Sequence, residues 1–395
     1  MEKKMFYRKV SPIERVFTLL HEMDKPFSNQ VVLEGTGVLD VSRWEKAVAA
    51  ACEANPGSRL VYRGISRWAK WVDSGVAAPI VQVDGSHWDA LSSDGAPFLL
   101  TSLPFKETHS CEVVLLTGNP LRVVFRTLHA TMDGRGTQLW IEDIFRALRG
   151  EPLLGASSSI NDAEFVAGLS APKRWERKKR NCLAPTGPID GSEPGNVWRR
   201  TRVKGKFSKL LPQVAIAIGK EARKQGPCNV CFNVPVDLRA RAGAARSTAN
   251  LTRRIILYIP PDATPESVQQ HMLEKLNDMS RDPEILKIAY YIPLKWIELF
   301  FVRFRKRNLG SGWYYSTGTL SNLGRLPIEA YEGGGFKADT GFYIPPGTEG
   351  KPLFVTLAGC GEFIEVIISM PKTLASNGRI DQLLDRIVSQ LKPNP

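Results

Sequence analysis

At 395 residues, 43% of them hydrophobic and 24% charged, the chain is too long for one compact core and too apolar for disorder, so two domains are expected. A formal net charge of +13 favours acidic partners such as nucleic acid, an anionic membrane, a phosphate-bearing cofactor or an acidic protein. No window approaches about 18 uninterrupted apolar residues, and "MEKKMFYRKVSPIERVF" lacks the pattern of a signal peptide, so the expectation is a cytoplasmic protein without a spanning helix.

In chain order, "SPIERVFTLLHEM" predicts a helix, with Ser11 as its N-cap and Pro12 in the first turn. "NQVVLEGTGVL" predicts a strand, and "DVSRWEKAVAAACEANP" a helix that packs Trp44, Val48, Ala51 and Cys52. Strands follow at "SRLVYRG", "RWAKWVD", "PIVQVD", "CEVVLLTG" and "LRVVFRTLH". "TQLWIEDIFRAL" then sets Leu139, Trp140, Ile144, Phe145 and Leu148 on one helical face.

Between about 150 and 200 the stretches "EPLLGASSSI" and "LAPTGPIDGSEPGN" are rich in Pro, Gly and Ser, which marks a linker. Inside it, "KRWERKKR" (Lys173–Arg180) places six basic residues in eight positions. It reads either as a solvated segment or as a contact for phosphates or an acidic protein. No recognition motif supports nucleic acid.

The second region predicts a strand at "WRRTRVKGKF", a helix at "SKLLPQVAIAIGKEARKQ", strands at "CNVCFNVPVDL" and "TRRIILYIP", and a helix at "PESVQQHMLEKLNDM". "LKWIELFFVRFRKR" (Leu294–Arg307) is expected to be a core helix, with a membrane-surface helix as the alternative. Strands near "GWYYSTGTLSNLG", "LFVTLAGC" and "EFIEVIISMP" precede a last helix, "RIDQLLDRIVSQLK".

The six cysteines are expected as free thiols in a reducing compartment. Cys228 and Cys231 form a C-x-x-C within a strand, with no second pair, so neither zinc nor redox work is expected of them. His21, His87, His109 and His271 have no partners at metal-ligand spacing, and no metal site is expected.

The stretch that points to chemistry is "LHATMDGRG", Leu128–Gly136. An isolated His at a strand end often serves structure, and Asp-Gly is an ordinary turn pair. Here an apolar strand delivers His129 to the edge of a core, and an amphipathic helix starts just beyond. Gly134 permits a tight turn and close approach. An unperturbed imidazole pKa near 6.5 suits a general base at neutral pH.

"HATMDG" resembles the H-x-x-x-D-G motif of the chloramphenicol acetyltransferase-like superfamily, which includes condensation domains and O-acyltransferases. Three more segments are similar in order: "LEGTGVLDVSRWEKAVAAACEANPGSRLVYRG", "VPVDLRAR" with "TANLTRRI", and "STGTLSNLGRL". Leu128 stands where condensation domains carry a second His, and "SNLGR" replaces an aromatic Asp-Phe-Gly-Trp-type motif. Both departures point to a free-standing acyltransferase.

The resemblance implies an α/β fold of two sandwich subdomains in a V-shaped pseudo-dimer with an active-site tunnel between them. Residues 1–165 would form the N-terminal subdomain, 166–198 the crossover and 199–395 the C-terminal subdomain, with the strand and loop near 313–326 bordering the tunnel. His129 would be the general base. Asp133 would be structural and paired with Arg239, or with Arg241 two residues on. The oxyanion donor is open between the Gly134 N–H and the hydroxyls of Ser316, Thr319 and Ser321. Asn322 would shape its loop, and Asn250 would line the tunnel or serve structure.

The implied reaction joins an acyl thioester to an alcohol or amine, in secondary or lipid metabolism. The co-substrate is coenzyme A or the phosphopantetheine of an acidic acyl carrier protein, with no permanently bound cofactor. The alternatives are a non-catalytic or diverted condensation-like domain that binds a carrier-bound intermediate, and a chain with peripheral membrane contact.

Overall fold

The apolar run "LRVVFRTL" forms an interior strand of a six-stranded sheet, buried from Arg122 to its end. In the computed structural model, residues 6–167, 181–241, 246–277 and 291–394 are described. The basic run Lys173–Arg180 lies outside the described residues.

The first half runs β1 (Tyr7–Lys9), α1 (Pro12–Met23), β2 (Ser28–Gly37), α2 (Val41–Ala54), β3 (Leu60–Arg63), β4 (Lys70–Asp73), β5 (Ile80–Asp84), β6 (Cys111–Thr117), β7 (Leu121–Leu128) and α3 (Gly134–Leu148). It continues with α4 (Asp162–Ala167), β8 (Asn196–Lys204), α5 (Leu210–Lys224), β9 (Cys231–Asp237), β10 (Thr252–Tyr258) and α6 (Pro265–Asn277). The rest is α7 (Leu294–Ser311), β11 (Gly318–Arg325), β12 (Glu332–Gly333), β13 (Phe336–Ile344), β14 (Phe354–Cys360), β15 (Phe363–Pro371), α8 (Lys372–Ala375) and α9 (Arg379–Val388).

Local chemistry explains the helix starts. Ser11 and Glu14 form a reciprocal capping box at α1, with Pro12 in its first turn. Asp40 caps α2 through the Arg43 N–H, and Asp133 caps α3 through the Gly136 N–H. Trp44 of α2 and Trp140 and Phe145 of α3 are buried on Phe125 of β7, which makes the first core. In the second half, Val214 and Ile218 of α5 and Leu383 and Ile387 of α9 pack with Phe232, Leu320, Val355 and Val366 from the sheet.

The first large sheet has the order β12-β13-β2-β7-β6-β5 and the second β10-β9-β11-β14-β15-β8, while β1, β4 and β3 make a small sheet of their own. β13, which the sequence reading does not contain, crosses back from the second half and pairs antiparallel with β2 along its length. A division of the chain at 199 therefore leaves two returning strands, β13 and the short β12 on its outer edge, in the first sheet. The physical reason is the open edge of β2, whose unpaired backbone groups β13 satisfies.

Between the sheets, Val32, Val114 and Val124 meet Trp198, Phe342 and Ile367 in a shared apolar layer. Beside it, Arg200 of β8 binds Glu34 of β2 at 2.8 Å and Glu365 of β15 at 2.8 and 3.0 Å. Arg122 adds a 3.0 Å bond to Glu34. These buried charges are paired on both sides, as burial demands.

The expectation of a core helix at "LKWIELFFVRFRKR" is corrected. Trp296 is 67% exposed and Phe300 64%. Only Ile297 and Asn308 of α7 are buried, because basic residues interrupt the apolar ones all round the helix. The helix packs against α1 and not inside the second core.

Candidate active site at the junction of the two sheets

β7 ends at Leu128, a turn carries His129, and α3 starts at Gly134. The Thr131 and Met132 N–H groups both return to the Leu128 carbonyl, at 2.9 and 3.2 Å, which closes the turn. Asn29 of β2 donates to the Met132 carbonyl at 2.8 Å, and Arg8 of β1 to the Thr131 carbonyl at 2.9 Å. The loop between strand and helix is thus braced from two neighbouring strands.

His129 is partly exposed, and its ring stacks on Phe17 of α1 with centroids 4.7 Å apart; Phe27 lies at 5.3 Å. Nδ1 sits 3.2 Å from the Met132 carbonyl. A carbonyl only accepts, so Nδ1 carries the proton and Nε2 keeps its lone pair. Nε2 makes no hydrogen bond among the described residues. Burial lowers the imidazole pKa below its ordinary 6.5; the Met132 bond and the Asp133 charge oppose this, and the Lys351 charge adds to it.

Asp133 does not face the ring. Oδ1 accepts from Gly136 N at 2.7 Å and from Arg239 Nη2 at 2.9 Å. Oδ2 accepts from Arg239 Nη1 at 3.0 Å, and from Leu251 N and Thr252 Oγ1 at 2.8 Å each. Burial pushes this carboxyl up, but the Arg239 charge and the hydrogen bonds outweigh it, and the pKa lies below the usual carboxylate value. Arg239 is itself fixed by the carbonyls of Ser247 and Ala249, at 2.9 and 2.6 Å, and by Asp237 at 2.7 Å.

Gly136 allows this closeness. A Cβ there would lie 2.1 Å from the Thr248 carbonyl oxygen, so only glycine lets α3 touch the 247–251 segment.

The other predicted residues are partly gathered here. Asn250 Nδ2 donates to the His129 carbonyl at 3.0 Å, which holds the backbone of the base. A Cβ on Gly134 would meet Leu323 Cδ2 at 3.0 Å, so the "SNLGR" strand end reaches the His-bearing loop. Thr319 Oγ1 accepts from Lys351 Nζ at 3.4 Å, and Ser316 Oγ accepts from Asn233 Nδ2 at 2.9 Å. Ser321 is partly exposed. Asn322 is exposed and turns its side-chain oxygen to Gly324 N at 3.0 Å, where the +73° φ of Gly324 falls in the irregularity of β11 between Asn322 and Arg325.

Sequence reasoning missed Lys351, Thr252, Asn29, Arg8 and Phe17 as members of this neighbourhood. Thr252 stands within "TANLTRRI" and could have been found there; Lys351 lies in a loop with no pattern. Cys231 Sγ lies 3.6 Å from Cys182 Sγ, unbridged, and Cys228 bonds to the Ala222 carbonyl at 3.7 Å. His21 is held by the Phe27 carbonyl at 3.3 Å and the Leu103 N–H at 3.1 Å, a structural role.

Solved structures share this fold over almost the whole chain. The first condensation domain of the calcium-dependent antibiotic synthetase, solved with a substrate analogue, superposes with a TM-score of 0.64, covering 98% of this chain and 96% of its own at 16% identity. The fold is that of a condensation domain. The starter condensation domain of rhizomide synthetase, solved with C8-CoA, gives 0.63 over 98% and 96% at 14% identity. TRI101 of F. sporotrichioides, solved with coenzyme A and T-2, gives 0.61 over 95% and 99% at 13% identity. No family model and no curated protein matches the chain. The α/β condensation-domain fold with two acetyltransferase-like subdomains, expected from the sequence motifs, is the one found.

Proposed function

We propose that this protein is an acyltransferase that joins an acyl thioester to an alcohol or amine. The observation that carries the proposal is His129 itself. Its Nδ1 is committed to the Met132 carbonyl, its Nε2 makes no hydrogen bond among the described residues, and burial keeps the ring neutral near pH 7.

In this reaction Nε2 takes the proton of the acceptor as its oxygen or nitrogen attacks the thioester carbonyl. The new C–O or C–N bond forms, the C–S bond breaks, and the proton passes from His129 to the departing thiolate. The Gly134 N–H, at the start of α3 and without a hydrogen bond among the described residues, serves the oxyanion. Asp133 and Arg239 are positioning residues: every carboxylate bond of Asp133 goes elsewhere than the imidazole.

The two substrates meet at the junction of the lobes, where binding converts a bimolecular encounter into a local one. One lobe is built on residues 1–165 with β12 and β13 added to its sheet, and the other on the remainder of 199–395. Coenzyme A thioesters are the first donors to try, since fold neighbours were solved with C8-CoA and with coenzyme A. A phosphopantetheine on an acyl carrier protein offers the same thioester. Secondary or lipid metabolism is the setting this chemistry suits.

The test is thiol release from acyl-coenzyme A with alcohol and amine acceptors, wild type against His129→Ala. Loss of general-base catalysis lowers the rate about 10²–10⁴-fold. Equal rates in the two proteins overturn the assignment.

A further inference from the structure

One side of α7 is anchored to the rest of the molecule. Arg305 pairs with Asp24 at the end of α1 and with Glu349, at 3.1 Å each, and Asn308 donates to the Gly350 carbonyl at 3.3 Å. The opposite face carries Trp296, Leu299, Phe300 and Val302, between 41% and 67% exposed. Lys295, Arg303 and Lys306 are exposed on the same side. Within Leu294–Ser311 five basic residues stand against the one acid, Glu298.

The patch continues beyond the helix. Arg67 lies 4.5 Å over the Trp68 ring and 5.9 Å from that of Tyr291, so the tip between β3 and β4 borders the start of α7. Ile65, Trp68 and Tyr291 are 77%, 66% and 66% exposed. Water-exposed aromatics on this scale mark a surface that is covered in use.

We propose that this face, α7 with the β3–β4 tip, lies on the surface of an anionic membrane. Tryptophan and tyrosine favour the boundary of lipid and water, and interleaved lysine and arginine meet anionic headgroups. A second copy of the chain is the poorer occupant, because a two-fold contact through this face sets Lys295, Arg303 and Lys306 against themselves. No helix among the described residues is long and apolar enough to cross a membrane, so the contact is peripheral. The inference does not depend on the acyl-transfer chemistry.

Co-sedimentation of the full chain with vesicles tests it, using phosphatidylcholine alone and phosphatidylcholine mixed with phosphatidylglycerol. The wild type sediments with the mixed vesicles and is released by high salt. Trp296→Ser with Phe300→Ser, and separately Arg303→Glu with Lys306→Glu, each lower partitioning by about tenfold or more while melting temperature and thiol-release rate hold. Four results overturn the proposal: no binding to mixed vesicles, equal binding to both kinds, partitioning unchanged by either variant pair, or a wild-type dimer that Trp296→Ser with Phe300→Ser dissolves.

Discussion

Asp133 and Arg239, 106 residues apart in sequence, meet in a two-pronged ion pair with oxygen–nitrogen distances of 2.9 and 3.0 Å. Asp133 caps the helix that follows the His129 turn, and Arg239 follows a strand of the other sheet. The pair therefore ties the loop that aims the imidazole to the second half of the molecule. Its carboxylate also receives the backbone N–H groups of Gly136 and Leu251, one from each half.

Arg239→Met leaves that carboxylate buried with neutral donors alone. Breaking a buried pair in this way costs about 3–5 kcal/mol, to be read from urea unfolding at pH 7. The folded carboxyl titrates below its ordinary 3.8, so its contribution is present above that value and fades as pH falls through the folded pKa. The gap between wild type and Arg239→Met should thus hold from pH 7 to about pH 4 and narrow below it. A cost under about 1 kcal/mol would match an exposed pair and remove the clamp from the account.

The His129 ring is expected to set the acid limb of kcat/KM. Burial, with the Lys351 charge behind it, depresses the imidazole below 6.5, so the neutral base persists into mildly acidic solution. The limb should fall below pH 6.5, and Lys351→Met should move it upward by removing a cation. Lys351→Arg should leave it in place. A limb that ignores the charge at 351 would dissociate Lys351 from the site.

Much of this was legible in the sequence because it is local. The Ser11 N-cap of α1, the helical faces of Trp44 and Trp140 and the strand leading to His129 all follow from spacing within a few residues. The Asp133–Arg239 pair came through a family resemblance and not from spacing, since 106 residues separate the partners. β13 escaped notice although "FKADTGFYI" begins with clear alternation, and no local pattern says that it returns to β2. Lys351 was invisible for a plainer reason: a lysine in a loop carries no period, and only the folded chain brings it to Thr319. The exposure of α7 does not follow from its apolar content, because basic residues are spread among the apolar ones around the helix.

Gly136→Ala tests the close approach of α3 to the second half. The new methyl would sit 2.1 Å from the Thr248 carbonyl oxygen, a backbone atom that cannot step aside. Overpacking of this kind costs roughly 1–3 kcal/mol, and because Thr248 lies beside Asn250, which holds the His129 carbonyl, kcat/KM should fall with stability. Gly310→Ala is the matched control, with open space around its Cβ and a helical position. It should gain about 0.4–1 kcal/mol and leave activity alone. Thermal melts with thiol-release rates on both variants decide the matter, and equal behaviour of the two would refute the contact.

Asp162 sets a different pH dependence. Burial first, then the negative charge of Glu14, raise its carboxyl to about 7, while the Ser11 hydrogen bond and the Arg8 charge pull the other way. Its Oδ1 is buried without a hydrogen-bond partner. Glu14 beside it is ion-paired to Arg8 and accepts from Ser11 N at 2.8 Å and Trp71 Nε1 at 3.1 Å. An acid that holds its proton more tightly folded than unfolded stabilises the fold while protonated, and that stability drains away as pH rises from its ordinary 3.8 to about 7. Asp162→Asn carries no such proton. Its melting temperature should therefore pull ahead of the wild type between pH 4 and pH 7 and keep a constant lead above. Melting curves in a series of buffers measure this directly, and parallel curves across the whole range would mean that Asp162 is already charged in the fold.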